Sequence, residues 1–209
     1  MLRILIADDH SIVRAGLKQI LQEEFTGAFI EEVADAETLL KKVFSAGWDV
    51  VISDLSMPGK SGLEALAQIR QQAPKLPVLI LSMHPEEQYA LRVLKAGAAG
   101  YLNKALAPEE LVNAVKRVLL GRKYITAAVA EKMADKLDDD AEKLSHEILS
   151  DREFDVFKLL ASGRSVSEIA EALSLGVTTV STYRSRILDK MNMKTNADLT
   201  RYALEHKLV

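Results

Sequence analysis

Cysteine is absent from the 209-residue sequence. Its absence excludes disulfides and thiolate metal sites and fits a reducing cytoplasm. No apolar run approaches the roughly 18 residues that a membrane-spanning helix needs, so no membrane partner is expected. The opening stretch MLRILIADDH has no long apolar segment ahead of its acidic pair and does not read as a secretory signal. A strong charge of either sign is missing as well. The formal net charge is −3, which by itself argues against a nucleic-acid binder. Hydrophobic residues make up 48% of the chain, enough for a buried core and too many for a disordered polymer.

The distribution of charge says more than its sum. Residues 1–120 carry 13 Lys/Arg against 15 Asp/Glu, and residues 121–149 carry 5 against 7. Residues 150–209 carry 9 against 8, a net of +1. Within 178–195, four basic residues (Arg184, Arg186, Lys190, Lys194) face one acidic residue, Asp189. The acidic excess lies upstream and a small basic patch lies near the C-terminus.

The first 120 residues alternate short apolar runs (Leu2–Ala7, Phe29–Ala34, Asp49–Ser53, Pro77–Leu81, Ala99–Leu102) with segments of helical spacing. Strands alternating with helices predict βαβ units and a parallel sheet. The runs ILIA, VVIS and VLILS are apolar throughout, as in strands buried on both faces. The fold class is therefore α/β: a doubly wound, five-stranded parallel sheet of flavodoxin-like order 2-1-3-4-5. A small all-α helix-turn-helix domain is expected after it. The predicted divisions are residues 1–121, a partly helical linker at 122–147, and residues 148–209. The acidic cluster Asp138–Asp140 reads as a solvated linker face.

On this strand reading, Asp8 and Asp9 follow strand one, Asp54 strand three, Ser82 strand four and Lys104 strand five. Ligands of open α/β sheets bind outside the carboxyl ends of the strands. Three carboxylates, a hydroxyl and an ammonium thus converge on one edge. Crowded carboxylates repel one another, and a divalent cation relieves that repulsion. Mg²⁺ suits the set, because it needs one or two carboxylates with waters and phosphate oxygens. A carboxylate can also accept a phosphoryl group, with nearby positive charge neutralising the equatorial oxygens. Singly, each residue reads as a helix cap, a turn hydroxyl or a surface charge; their joint placement marks a site.

The Asp8-Asp9 pair, Asp54-x-x-Met57-Pro58 with Gly62 beyond it, Leu81-Ser82, and Gly97-Ala-x-Gly100-Tyr101-Leu-x-Lys104 resemble the receiver domains of two-component response regulators. The resemblance implies that Asp54 accepts a phosphoryl group from a histidine kinase. It implies that Asp8, Asp9, Asp54 and the backbone carbonyl of Ser56 hold Mg²⁺. It gives Ser82 and Lys104 to the phosphoryl group and makes Tyr101 a residue that rotates inward with it. Ser56 and His84, two residues beyond Asp54 and Ser82, stand where the family tunes the lifetime of the aspartyl-phosphate. His10 reads as a loop residue. Ala105 replaces the proline that often follows the lysine, so a trans bond is the expectation.

Beyond residue 149 the helix signals are explicit. Ser150-x-x-Glu153 and Ser165-x-x-Glu168 have capping-box form, and Gly163 stands where a C-cap glycine belongs. Helix 167–173, a turn at 174–177 and a helix from about Thr178 make a helix-turn-helix. Val180, Ile187, Leu188 and Met191 form its apolar stripe. The other face carries the candidate DNA contacts Thr178, Thr179, Ser181, Thr182, Tyr183, Arg184, Ser185, Arg186, Lys190 and Lys194. Short polar side chains reach base edges and long cations reach phosphates. Helix pattern alone fits an ordinary bundle equally well. The order Leu149-Ser150-x-Arg152-Glu153, Glu168-Ile169-Ala170, Thr179-Val180-Ser181, Ile187-Leu188-x-Lys190-Met191 resembles the LuxR-type helix-turn-helix. Gly176 and Tyr183 depart from it, standing where serine and histidine are common.

Together the two resemblances imply a regulator of the NarL/FixJ class. Its partners would be palindromic operator DNA, a sensor histidine kinase and a second copy of itself, with RNA polymerase a further candidate. No enzymatic activity is expected beyond self-phosphorylation and autodephosphorylation. Two rivals compete with this reading. A haloacid-dehalogenase-type hydrolase would need an acid where Ser56 stands. A phosphorylation-independent regulator would answer to a ligand or protein and would have no use for the acidic site.

Overall fold

A computed structural model describes residues 1–57, 60–138 and 145–209. Pro58 of the Asp54 motif, and Asp139 and Asp140 of the acidic cluster, lie outside the described residues. The chain divides into two compact units, Met1–Asp140 and Ala141–Val209.

In the first unit, strands β1 (Arg3–Ala7), β2 (Phe29–Val33), β3 (Val50–Asp54), β4 (Val78–Ser82) and β5 (Gly100–Asn103) form one parallel sheet of order β2-β1-β3-β4-β5. The three fully apolar runs become β1, β3 and β4, whose residues are buried almost throughout. Helices α1 (Ser11–Glu24), α2 (Ala36–Ser45), α3 (Gly62–Gln72), α4 (Glu86–Lys95) and α5 (Ala107–Leu119) connect and follow the strands. Helix α1 packs against α5, and α2 against α3. Leu17 and Leu21 of α1 meet Leu111, Val115 and Val118 of α5 over Ile4, Ile6, Val50 and Ile52 of the sheet. Helix α6 (Ala127–Asp138), within the stretch read as linker, packs on α4 and clusters with this unit.

The sheet register sets the functional edge. Asp54 lies opposite Leu81, and Ser82 opposite Asn103, so the last residues of neighbouring strands fall side by side. The order reverses between β1 and β3, the switch point where doubly wound folds bind ligands. Asp54 and Ser82 close their strands rather than follow them, one residue from the expected position. Glycine at 62 is dictated by a backbone contact. A Cβ there would sit 2.1 Å from the carbonyl oxygen of Asp54, and the Gly62 N–H donates to the Leu55 carbonyl at 2.8 Å. Helix α3 therefore starts directly against the end of β3.

The second unit holds α7 (Asp151–Ala161), α8 (Val166–Ala172), α9 (Val177–Lys190) and α10 (Asn196–Glu205). The two capping boxes read from sequence form, and a third at Thr195–Asp198 starts α10. Gly163 takes φ +87° after α7, the left-handed turn that ends a helix. Helix α7 packs against α9 and α10, and α8 against α9. The core is Phe154, Phe157, Leu160, Ile169, Val180, Ile187 and Leu199. Helix α9 starts at Val177, one residue before the expected Thr178, with Gly176 as an N-cap that makes no side-chain bond.

Candidate functional site

At the carboxyl edge of the first unit, Asp8 is fully buried, and Asp54 and Ser82 are nearly so. Asp9 stands at the rim. Lys104, in a short 3₁₀ turn after β5, bridges the carboxylates. Its Nζ lies 2.7 Å from Asp8 Oδ2 and 2.9 Å from Asp54 Oδ2. Burial pushes the Asp54 carboxyl above its ordinary range; Lys104 works against that shift, and Asp8 adds to it. Burial alone would lower Lys104. The hydrogen bonds and charges of Asp8 and Asp54 outweigh it and hold the ammonium above its ordinary value. The cation thus stays charged between two carboxylates that would otherwise repel each other.

Carboxylate oxygens of Asp8, Asp9 and Asp54 and a ring nitrogen of His10 all lie within 4.8 Å of one another. This donor set fits a hard divalent cation, which favours carboxylate oxygen. The buried Asp8 Oδ2 meets the Lys104 ammonium at 2.7 Å, while Asp8 Oδ1 accepts the His10 N–H, so both oxygens of this carboxylate are fixed at the edge of the cluster. Ser56, the fourth expected contributor, lies exposed just past Asp54 and directs its backbone N–H to the Asp54 carboxyl.

His10 does more than its sequence position suggests. It precedes α1 without capping it. Its backbone N–H donates to Asp8 Oδ1 at 2.9 Å, and its Nδ1 lies 2.8 Å from Asp9 Oδ1. Arg14 Nη1 donates to the Asp8 carbonyl at 2.5 Å, fixing the loop from beneath. None of these contacts is written in the sequence: the motif places the residues in a loop, and the fold sets the largely exposed His10 ring beside the Asp9 carboxylate.

Around Ser82 a second layer assembles. The His84 N–H donates to Ser82 Oγ at 3.1 Å. The Tyr101 hydroxyl donates to the His84 carbonyl at 2.8 Å, and Asn103 Nδ2 to the same oxygen at 3.3 Å. Tyr101 is buried, its ring already inward. The His84 ring stacks on Tyr89 with centroids 4.5 Å apart, and its Nε2 approaches Ser56 Oγ at 3.5 Å.

In the second unit, α8, the turn at 173–176 and α9 form the expected helix-turn-helix. Thr178, Thr179, Ser181, Thr182, Ser185 and Arg186 are exposed on α9, and Lys194 beyond it. The Thr182 hydroxyl donates to the Thr178 carbonyl at 2.9 Å. Three candidates are placed differently. Lys190 is exposed too, and its Nζ lies 2.6 Å from Oε2 of buried Glu153 in α7. Arg184 Nε donates to Asn196 Oδ1 at 2.8 Å, tying α9 to α10. Tyr183 is half-buried.

Comparison with known proteins decides the family. Residues 4–116 match the response regulator receiver domain. The chain belongs to the response regulators. Residues 147–203 of this response regulator match the bacterial regulatory proteins of the luxR family. It is similar to the response regulator UvrY of Escherichia coli K12, 35% identical over 209 residues covering 100% of this chain and 96% of that one. The oxygen regulatory protein NreC of Staphylococcus carnosus is 37% identical over 215 residues, covering 100% and 99%. Among solved structures it is similar to RcsB of Salmonella enterica serovar Typhimurium, bound to promoter rprA in the presence of the phosphomimetic BeF₃⁻. That likeness has 27% identity, a TM-score of 0.62, and coverage of 97% and 98%. A further RcsB structure, described as two dimers bound to two parallel DNAs, matches with a TM-score of 0.59 at 28% identity, covering 96% and 97%. The response regulator thus combines a receiver domain with a LuxR-type helical DNA-binding domain, as transcription regulators of this kind do. No described helix is long and apolar enough to cross a membrane.

Proposed function

We propose that Asp54 is the phosphoacceptor and that its phosphorylation by a histidine kinase promotes self-association and operator binding through α9. Support comes above all from the Lys104 ammonium, held between Asp8 and Asp54 at 2.7 and 2.9 Å beside the carboxylate cluster. An Asp54 carboxylate oxygen attacks phosphorus, the new O–P bond forms, and the donor's P–N bond breaks with its electron pair leaving on the imidazole. Asp8, Asp9, Asp54 and the Ser56 carbonyl would hold Mg²⁺, which neutralises charge on the transferring group when bound. Lys104 supplies the fixed positive charge of the chain itself. Ser82 Oγ, accepting from His84, has its hydrogen left to donate to a phosphoryl oxygen. Tyr101 holds the loop that carries His84.

Residues 1–121 act as the receiver and 148–209 as the DNA reader, joined by 122–147. On α9 the exposed Thr178, Thr179, Ser181, Thr182 and Ser185 face the bases, and Arg186 and Lys194 the phosphates. Lys190 and Arg184 serve mainly to hold α9 in place. So few free cations bind DNA weakly from one copy, and two copies on a palindrome gain through effective concentration. RcsB on promoter DNA, and as dimers on DNA, supports this extension. The setting is cytoplasmic, and the only chemistry is the protein's own phosphorylation and dephosphorylation.

The test is treatment with acetyl phosphate and Mg²⁺, reading intact mass, oligomeric mass and binding to operator-length DNA, beside Asp54→Asn. The expected result is an adduct, a dimer and tighter binding in the wild type alone. An adduct without change in mass or affinity would sink the coupling. No adduct would favour the regulator that answers to a ligand or protein instead.

A further inference from the structure

Helix α6 was read from sequence as part of a linker, yet it is stitched to the first unit at two points. The first is the start of β5. Tyr124 forms a parallel bridge with Gly100, its N–H donating to the Ala99 carbonyl at 2.8 Å. The approach is close enough that a Cβ on Gly100 would lie 2.8 Å from Tyr124 Cβ. The Tyr124 ring is buried, and its hydroxyl donates to Glu110 Oε2 of α5 at 2.5 Å. The second point is the first residue of α4. The Thr126 hydroxyl donates to the Glu86 carboxylate. The Thr126 backbone carbonyl also accepts from Ala130, within the first turn of α6. Val129 is buried, and α6 lies on α4.

Both points are short covalent steps from the acidic site. Glu86 is two residues beyond His84, whose N–H contacts Ser82 and whose carbonyl takes the Tyr101 hydroxyl. Gly100 adjoins Tyr101, and Lys104 follows on the same strand and turn. Two routes lead from the edge of the sheet to α6. One starts at Ser82, whose Oγ takes the His84 N–H, and continues two residues along the chain to Glu86 and its bond with Thr126; the other starts at Asp54 and passes through Lys104 and β5 to Tyr124.

We propose that α6 is a latch on α4 and β5 whose docked state is favoured when Asp54 carries a phosphoryl group. This rests on the phosphoacceptor reading above. Docking of α6 and the buried position of Tyr101 occur together in this structure and belong to one state. Phosphorylation then reaches the segment ahead of residue 141 through α6. Energetic coupling is reciprocal, so loosening the latch must weaken binding at the acidic site by the same factor.

The experiment uses the full-length protein with beryllofluoride and Mg²⁺ as the phosphoryl mimic. Fluorine NMR reports its binding, and hydrogen exchange of peptides spanning 124–138 reports the latch. In the wild type, beryllofluoride should slow exchange of these peptides about tenfold, the size expected for one charge-assisted hydrogen bond changing population. Thr126→Val should cancel that protection and weaken beryllofluoride binding by a similar factor. Glu86→Gln, which still accepts the hydroxyl, should keep part of both. If beryllofluoride binds and α6 exchange does not respond, or if Thr126→Val changes neither readout, the latch is wrong and the phosphoacceptor reading stands. If beryllofluoride fails to bind the wild type, the phosphoacceptor reading falls and the latch with it.

Discussion

The two units use charge in opposite ways. In the receiver, four ionisable groups are packed at the sheet edge, and Lys104 and Asp8 are almost wholly removed from water. On α9 the candidate DNA-facing residues are exposed and mostly hydroxyl-bearing, and two of its cations, Lys190 and Arg184, pair with Glu153 and Asn196 of the same unit. A buried cluster turns each added charge into a large energetic event, because little water screens it. An exposed face makes each contact weak and adjustable, because water competes for it. On the function proposed above, the difference teaches where switching and where selectivity belong: strong, localised chemistry at Asp54, and many small contributions along α9.

The sharpest way to break this contrast is to remove Lys104. Lys104→Met leaves Asp8 and Asp54 facing each other without a counter-charge. Loss of one partner from a buried ionic cluster costs about 3–5 kcal/mol. Urea denaturation of the first unit should show that loss, and added Mg²⁺ should recover part of it by mass action. If the variant kept wild-type stability with no metal, the ammonium would not be the element that holds the carboxylates together.

Gly62→Ala should come next. The new Cβ meets the Asp54 carbonyl, and forced overpacking costs about 1–3 kcal/mol. Acetyl phosphate labelling should slow with it, since the end of β3 must shift. Unchanged labelling would mean that α3 moves away instead.

In the second unit, Glu153 offers a test by pH. Burial pushes its carboxyl up, but the Lys190 hydrogen bond and the contacts with Ser150 outweigh this and hold it below the ordinary value. A lowered folded-state pKa contributes stability that is fully present above the unfolded value of about 4.3. That contribution fades as pH falls through the folded value. Glu153→Gln should therefore lower thermal stability at pH 7 and narrow the gap to wild type at acid pH. A gap that stayed constant with pH would show that the capping box, and not the charge, carries the effect.

The smallest effects should come from α9. Arg186→Ala should reduce the salt dependence of DNA binding by about one unit of slope. Ser181→Ala should leave that slope alone and change preference among operator sequences. Equal loss on every sequence from Ser181→Ala would move Ser181 from base reading to backbone positioning.

Much of this was legible in the sequence because it is local. Continuous apolar runs mark β1, β3 and β4, and a polar residue at the end of each run is delivered to the edge by strand geometry alone. Capping boxes at Ser150 and Ser165 fix helix starts within four residues. What escaped is non-local. The place of the His10 ring nitrogen near Asp54 depends on β1 pairing with β3. The pairing of Lys190 with Glu153 spans 37 residues, so no local pattern shows it. Residues 127–138 looked like linker because the pattern is polar, and the contacts made by Tyr124 and Thr126 ahead of them are with Gly100 and Glu86, far away in the sequence.

Those anchors also bear on how the sheet ends. A parallel sheet has two outer strands whose backbone groups invite pairing with another chain. Here β2 is guarded by charge, with Glu31 and Glu32 engaged by Lys42 and Lys18. The opposite border, β5, is guarded by the passing chain itself, through Tyr124 at Gly100. A chimaera that grafts another output domain just after Gly121 would strip this guard and expose β5 to strand addition. A junction placed beyond residue 138 keeps it, so the receiver that can be moved between proteins as a soluble part is longer than its five βα repeats.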